Sequence, residues 1–242
     1  MNLLNLLEID PTKREKLMSC KGSQAINRMG ALAEMHNILS YNYNDLTNHI
    51  KELSYLPPDY QEIILLPLDR LKQYIFNFFM ATTALRDNCR RLMGNYKGSH
   101  FKKEYDEKIK IFHCDLVRFV EDLRNNHTHA QPARPMIVKD KKHIPLWNIV
   151  FLTPDLLKNS MKWSTGAKTY MQTQGNEIRI YDVCLEYYRL VDQFYCWLYR
   201  ELKKHHQKDL EERNKMMEDF GIKKEMDAFS QALQKYATNP TN

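Results

Sequence analysis

Residues 105–129 read YDEKIKIFHCDLVRFVEDLRNNHTH, and this stretch decides the fold class. Its apolar side chains recur at intervals of three and four residues, at positions 105, 109, 112, 116, 119 and 123. Side chains with that spacing lie on one face of an α-helix, so the stretch predicts a long amphipathic helix that begins at Ser99 and ends near Ala130. Because such a face packs against neighbouring helices, the stretch also predicts a helical bundle.

Helical spacing continues outward from this segment in both directions. We expect helices over residues 24–53, from residue 59 to about 93, and over residues 178–203, with Pro67 kinking or splitting the second of them. Glycine is scarce, at 7 of 242 residues, which favours helices over a turn-rich β-sandwich. Residues 136–152 differ, because two short apolar runs flank a basic turn and predict a β-hairpin. The predicted fold is therefore mainly α, a helical bundle with a small β-hairpin insertion and a long C-terminal helix.

The charge pattern predicts three parts of the chain. Residues 1–21 form an N-terminal segment, residues 22–203 form the helical domain, and residues 204–242 form a charged helical arm with a flexible tail. His205 and His206 begin this arm, and we expect both on a solvated helix face.

The composition of the chain limits its possible cellular location, cofactors and binding partners. The net charge of +6 permits an anionic partner such as RNA. Five scattered cysteines without a CxxC pair, and apolar runs too short to span a membrane, indicate a cytoplasmic protein without disulfides and without a membrane partner. No Walker loop or GxGxxG motif is present, so we expect no nucleotide cofactor. The basic side chains that flank residues 124–129 form either a solvated face or a substrate-binding surface: Arg86, Arg90, Arg91, Arg134, Lys141 and Lys142.

The end of the 105–129 stretch concentrates groups that suit phosphate chemistry. The guanidinium of Arg124 offers a planar fork of donors for phosphate oxygens, and Asn125 can orient it or bind phosphate. His129 lies five residues further on and supplies an imidazole that accepts and returns a proton near neutral pH. His127 is the second candidate for that role. Together these residues are sufficient for RNA cleavage without a metal ion, in which an imidazole deprotonates the ribose 2′-OH and a guanidinium stabilises the charged phosphorus centre.

The run from Arg124 to His129, RNNHTH, resembles the R-[N/D/H]-x-x-x-H motif of HEPN domains. The resemblance implies a helical-bundle fold and metal-independent endoribonuclease activity, with Arg124, Asn125 and His129 as catalytic residues. It also implies a homodimer whose two motifs meet in one cleft, and a place in bacterial phage defence or beside an antitoxin partner. Some proteins of this family are noncatalytic RNA-binding, protein-interaction or dimerisation modules, which is the alternative function.

Other interpretations of the same residues remain open. His127 and His129 could cap the last carbonyl groups of the helix, and Arg124 could form a structural ion pair with Glu121 or Asp122. A metal site is the less favoured rival, because no second ligand pair occurs at a recognised spacing. Trp147 and Trp163 could stack on nucleobases, although packing of the hairpin onto the bundle is the favoured interpretation.

Overall fold

A computed structural model describes residues 10–55, 65–129, 133–139, 147–158 and 162–222, without the side chains of residues 65–67, 128, 129 and 139. These ranges contain nine α-helices and three β-strands. In chain order they are α1 (Pro11–Ser19), α2 (Lys21–Ser54), α3 (Leu65–Met93), α4 (His100–Lys108), α5 (Asp115–His129), β1 (Met136–Lys139), β2 (Trp147–Leu152), α6 (Thr153–Lys158), α7 (Thr165–Gln174), β3 (Glu177–Arg179), α8 (Ile180–His205) and α9 (Gln207–Asp219). The mainly α fold with a small hairpin is confirmed, and no described helix is long and apolar enough to cross a membrane.

The hairpin belongs to a three-stranded antiparallel sheet with the strand order β1–β2–β3. Val150, in the central strand, pairs with Met136 on one side and with Arg179 on the other. The sequence did not predict β3, because three residues between a glycine turn and a helix carry too little alternation to indicate a strand. The predicted turn of the hairpin, Lys139–His143, lies outside the described residues except for Lys139, which ends β1.

The helix predicted over the 105–123 stripe is interrupted. After α4, residues Ile109–Phe112 form a 3-10 turn, and His113 leaves helical geometry at φ −88° and ψ 47°. A new helix then begins, in which the amide of Arg118 donates to the carbonyl of Cys114 and Asp115 places a negative charge in the first turn. The interruption preserves the core role of the stripe, since Phe112 still packs on Phe194 with 5.0 Å between ring centroids.

Helix α3 is continuous through Pro67. The helix begins at Leu65, so the proline occupies its first turn, where an amide hydrogen has no partner within the helix. The predicted kink or split of the 59–93 segment at Pro67 stays a prediction, because residues 56–64 lie outside the described residues.

The contacts divide the chain into two compact units, and the larger one comprises Ile38–Asp87 and Glu104–Phe194. Its core includes Phe78, Phe119 and Phe151, whose side chains are almost fully buried. The ring of Phe119 stacks on Trp163 at 5.8 Å and on Tyr170 at 5.1 Å between centroids. The indole Nε1 of Trp163 donates to the backbone carbonyl of Leu156 in α6, so this tryptophan packs against α5 and α6, and its packing of the hairpin onto the bundle stays a prediction.

The other unit comprises Met1–Asn37, Asn88–Lys103 and Tyr195–Asn242, of which residues 10–37, 88–103 and 195–222 are described. Here α9 packs against α1 through Met217 and Leu17. His206 is buried rather than solvated, since its Nε2 lies 2.7 Å from the hydroxyl of Tyr96 and its Nδ1 2.9 Å from Asp209. The expectation for His206 is therefore wrong, because a tyrosine 110 residues earlier in the chain covers it. The predicted domain boundaries after residues 21 and 203 stay predictions.

Candidate functional site

Arg124 lies on α5 and is held by two oriented hydrogen bonds. Its Nη1 donates to Thr83 Oγ1 of α3 at 2.8 Å, and its Nη2 donates to Asn125 Oδ1 at 2.6 Å. The hydroxyl of Thr83 in turn donates to the carbonyl of Phe79, so its oxygen faces Arg124 as an acceptor. Arg124 is half-buried and Asn125 is exposed, which leaves an ordered guanidinium beside a solvated amide on the surface of this unit.

A second group of charges lies on the same two helices. Arg86 of α3, one turn beyond Thr83, forms an ion pair with Glu121 of α5. The other carboxylate oxygen of Glu121 accepts a hydrogen bond from Arg118 Nη1 at 3.2 Å. Two guanidinium groups thus share one carboxylate, so the group keeps a net positive charge. The Nε of Arg86 is buried and has no hydrogen-bond partner among the described residues.

Tyr187 of α8 lies beneath these charges. Burial raises the pKa of its phenol, with a smaller increase from Glu121 and opposing effects from a Thr82 hydrogen bond and the guanidinium groups of Arg86 and Arg124. The phenol therefore stays neutral near pH 7, and it adds no charge to the site. Local spacing does not indicate this residue, because the proximity of Tyr187 to α5 depends on how the helices pack.

His127 has a structural contact instead of the helix-capping role considered above. Its Nε2 accepts the backbone N–H of Ala133 at 3.0 Å, beyond the end of α5, and its ring lies edge-on to Phe79 with 6.3 Å between centroids. Burial lowers the pKa of His127 to about 4, so the ring is neutral near pH 7. An Nε2 that accepts this hydrogen bond carries no proton, and the proton of the neutral ring therefore resides on Nδ1.

Two other polar residues of α5, Asp122 and Asn126, face the rest of this unit. Asp122 Oδ2 accepts the backbone N–H of Ser164 at 2.6 Å, immediately before α7 begins. Asn126 is buried, and its Nδ2 has no hydrogen-bond partner among the described residues. Because an unpaired buried amide costs free energy, Asn126 marks a position where the interior is incompletely satisfied.

The remaining predicted site residues are only partly described. His129 is the last residue of α5, and its side chain lies outside the described residues, as do Lys141 and Lys142. Arg90, Arg91 and Arg134 are exposed. Arg134 belongs to the same unit as Arg86 and Arg124, whereas Arg90 and Arg91 belong to the other unit.

The described residues include no group of three or more His, Cys, Asp or Glu side chains that could hold a metal ion. The five cysteines are free thiols, and those of Cys89 and Cys184 are buried. Beside the carboxylate of Glu121, the polar groups described around Arg124 are guanidinium, amide and hydroxyl groups, which bind anions.

No family model, curated protein or solved structure matches this chain. Its class is defined by its own architecture, a mainly α protein with a three-stranded antiparallel sheet and an arginine-rich surface on α3 and α5.

Proposed function

We propose that this protein is an endoribonuclease that cleaves RNA without a metal ion, as the resemblance to HEPN domains implies. Arg124 binds the phosphate backbone of the RNA. The observation that carries the proposal is the orientation of the Arg124 guanidinium by Thr83 and Asn125 at a half-exposed position. A guanidinium that is ordered before the substrate arrives stabilises charge on phosphate without further reorganisation. Arg86 and Arg118, gathered around Glu121, add the positive potential that attracts a polyanion.

In the proposed reaction His129 acts as the general base. Its imidazole takes the proton of the ribose 2′-OH, the 2′ oxygen forms a bond to phosphorus, and the bond from phosphorus to the 5′ oxygen breaks. Arg124 stabilises the charge that develops on the phosphoryl oxygens, and Asn125 positions Arg124. The departing 5′ oxygen takes a proton from a second imidazole, and the products are a 2′,3′-cyclic phosphate and a 5′-hydroxyl.

His127 is not assigned to proton transfer in this scheme. Its Nε2 is engaged with the amide of Ala133, and its lowered pKa leaves little of the protonated form near pH 7. We therefore assign the second imidazole to His129 of another copy in a homodimer.

An apolar strip on α3 supports such a dimer. Phe76 and Met80 are 37% and 41% exposed, and they share a helix face with Thr83, the residue that holds Arg124. A second copy that covers this strip would bring its own α5 close to Arg124. We expect Met80→Glu to convert the dimer to a monomer in light scattering after gel filtration and to abolish cleavage. A dimer that survives this substitution would place the interface elsewhere.

The activity is tested with RNA in the presence of EDTA. Wild-type protein is incubated with total RNA beside Arg124→Ala, His129→Ala and Asn125→Ala variants. His113→Ala and Arg189→Ala serve as matched controls, because both residues are exposed and lie outside the motif. Cleavage that the first two variants lose and both controls retain supports the proposal. Equal background cleavage by all six proteins refutes it.

A noncatalytic RNA-binding, protein-interaction or dimerisation module is the second candidate, favoured by the commitment of His127 to a structural contact. It predicts RNA binding that Arg124→Ala weakens, with no cleavage by the wild type. The first proposal also includes a cytoplasmic location, and a role either in phage defence or as a toxin with an antitoxin partner. Growth arrest on expression of the wild type, but not of the Arg124→Ala variant, would support a toxin.

A further inference from the structure

A cavity of about 240 Å³ opens in the larger unit, away from the Arg124 site. The C-terminal end of α2, the start of β2 and the junction between β3 and α8 form its walls. Arg124, Asn125, Asn126 and His127, the motif residues whose side chains are described, are not part of its lining. Its lining combines aromatic rings, cationic side chains and one carboxylate: Tyr55, Trp147, Tyr181, Lys51, Arg179 and Asp182.

One aromatic side chain at this cavity, that of Tyr55, is largely exposed. Tyr55 is 72% exposed, the largest fraction among the exposed large apolar side chains of the described residues, and Trp147 is half-buried. An exposed ring at the mouth of a cavity, where it stabilises no core, provides a surface on which a planar ligand stacks. The cavity therefore favours a flat aromatic ligand over an aliphatic one.

The charges at the rim add a requirement for an anion. Lys51 and Arg179 are both exposed, and neither forms an ion pair with another described residue. Arginine binds phosphate through two parallel N–H donors, and lysine adds a point charge. Asp182 opposes a bare phosphate, but its carboxylate accepts hydrogen bonds from amino and imino groups on the edge of a base.

From this combination we propose that the cavity binds one nucleotide, with the base against Tyr55 and Trp147, its donor edge at Asp182 and its phosphate at Lys51 and Arg179. Drug-sized ligand pockets measure roughly 300–1,000 Å³, so a cavity of about 240 Å³ takes a single base and leaves the phosphate at the rim. Guanine presents adjacent imino and amino donors to a carboxylate, which makes guanosine monophosphate the best-matched ligand. This site does not require that the Arg124 site cleave RNA.

The test is a titration of the full chain with guanosine monophosphate. Binding is measured by the change in tryptophan fluorescence and by calorimetry. Tyr55→Ala is compared with Tyr41→Ala, a matched control in α2, the helix that ends one residue before Tyr55; Tyr41 is 64% exposed and outside the cavity. Because stacking on an aromatic side chain contributes roughly 1–3 kcal/mol per base, we expect Tyr55→Ala to weaken binding about tenfold or more. The Tyr41→Ala and Arg124→Ala variants keep the wild-type affinity, whereas the Lys51→Ala/Arg179→Ala double variant loses binding of the nucleotide. Circular dichroism confirms that these variants, all at exposed or half-exposed positions, are folded.

Two further arms distinguish the source of the nucleotide. If a short single-stranded oligonucleotide binds more tightly than guanosine monophosphate and is weakened by Tyr55→Ala, the cavity receives one unit of an RNA strand. If the mononucleotide binds as tightly as the strand, the ligand is a free nucleotide. The proposal is overturned if neither ligand binds saturably, if Tyr55→Ala binds like Tyr41→Ala, or if inorganic phosphate competes as well as the nucleotide. A loss of RNA cleavage in Arg124→Ala, with nucleotide binding unchanged, separates the fate of this proposal from that of the ribonuclease.

Discussion

The neutral, buried ring of His127 predicts a specific loss of stability in acid. Burial lowers its pKa from 6.5 to about 4 in the folded protein, whereas in the unfolded chain the ring titrates near its ordinary value. Between these two values the unfolded chain binds more protons, so the stabilisation is complete above pH 6.5 and is lost as the pH falls toward 4. The full loss is about 3 kcal/mol, of which about 2 kcal/mol is lost between pH 6.5 and 4.5.

The perturbation that isolates this effect is His127→Gln. Glutamine does not titrate, and its side-chain oxygen can accept the N–H of Ala133 that His127 Nε2 accepts. The free energy of unfolding is measured in urea at several pH values from 7.5 to 4.5 for the wild type and the variant. Carboxylate titration is common to both proteins and cancels in their difference.

We expect the wild-type free energy of unfolding to fall relative to that of His127→Gln by about 2 kcal/mol between pH 6.5 and 4.5. His113→Gln, at an exposed histidine two residues before α5, is the matched control and keeps the wild-type profile. A difference between wild type and His127→Gln that stays constant with pH would refute the burial argument. It would also return His127 to the candidates for proton transfer.

Four further substitutions test the packing. A Cβ on Gly22 would clash with the carbonyl oxygen of Asp209, so Gly22→Ala should destabilise the protein by about 1–3 kcal/mol. Gly30 has open space around it, so Gly30→Ala should stabilise the protein by about 0.5–1 kcal/mol. Phe119→Ala removes a fully buried ring and should cost about 3–5 kcal/mol in urea unfolding. Tyr96→Phe deletes the hydroxyl that bonds His206 and should cost about 1–3 kcal/mol in thermal unfolding, because the imidazole nitrogen is left unpaired.

Each of these has a clear contrary result. Equal stability of the two glycine variants would mean that α2 and α9 do not approach closely at Gly22. A cost below about 1 kcal/mol for Phe119→Ala would contradict its place in the core. An unchanged midpoint for Tyr96→Phe would show that His206 is satisfied without the phenol.

Much of the architecture followed from local patterns. The hairpin was predictable because two apolar runs and a basic turn lie within 17 residues of each other, from 136 to 152, and the long helices were predictable from their spacing. The interruption at His113 was not predictable, because the apolar spacing continues unbroken across it and a 3-10 turn preserves the face. Strand β3 was missed for the complementary reason, since its pairing with β2 is nonlocal.

The candidate site also combines contacts that local sequence predicts with contacts that depend on tertiary packing. That Arg124 and Asn125 share one surface of a helix is a local property, and the sequence was sufficient for it. The Thr83 contact joins residues 41 positions apart, and the burial of Tyr187 and His206 depends on helices from distant parts of the chain. Histidines are the hardest residues to assign from sequence, because the same side chain serves as a solvated base, a buried acceptor or a ring in a core.

The turn before β3 has a consequence for how this sequence can diverge. The backbone N–H and the hydroxyl of Thr153 donate to the carbonyls of Asn176 and Gly175, at 3.0 and 2.6 Å. Both acceptors are main-chain atoms, so substitution of the side chain at position 176 leaves these hydrogen bonds intact. Gly175 has a φ of 81°, a conformation that favours glycine, so replacement of Gly175 would strain the backbone. An insertion or deletion would displace both carbonyls at once. Relatives of this protein should therefore vary the residue at 176 while they keep the glycine, the length of the turn and a hydroxyl at 153.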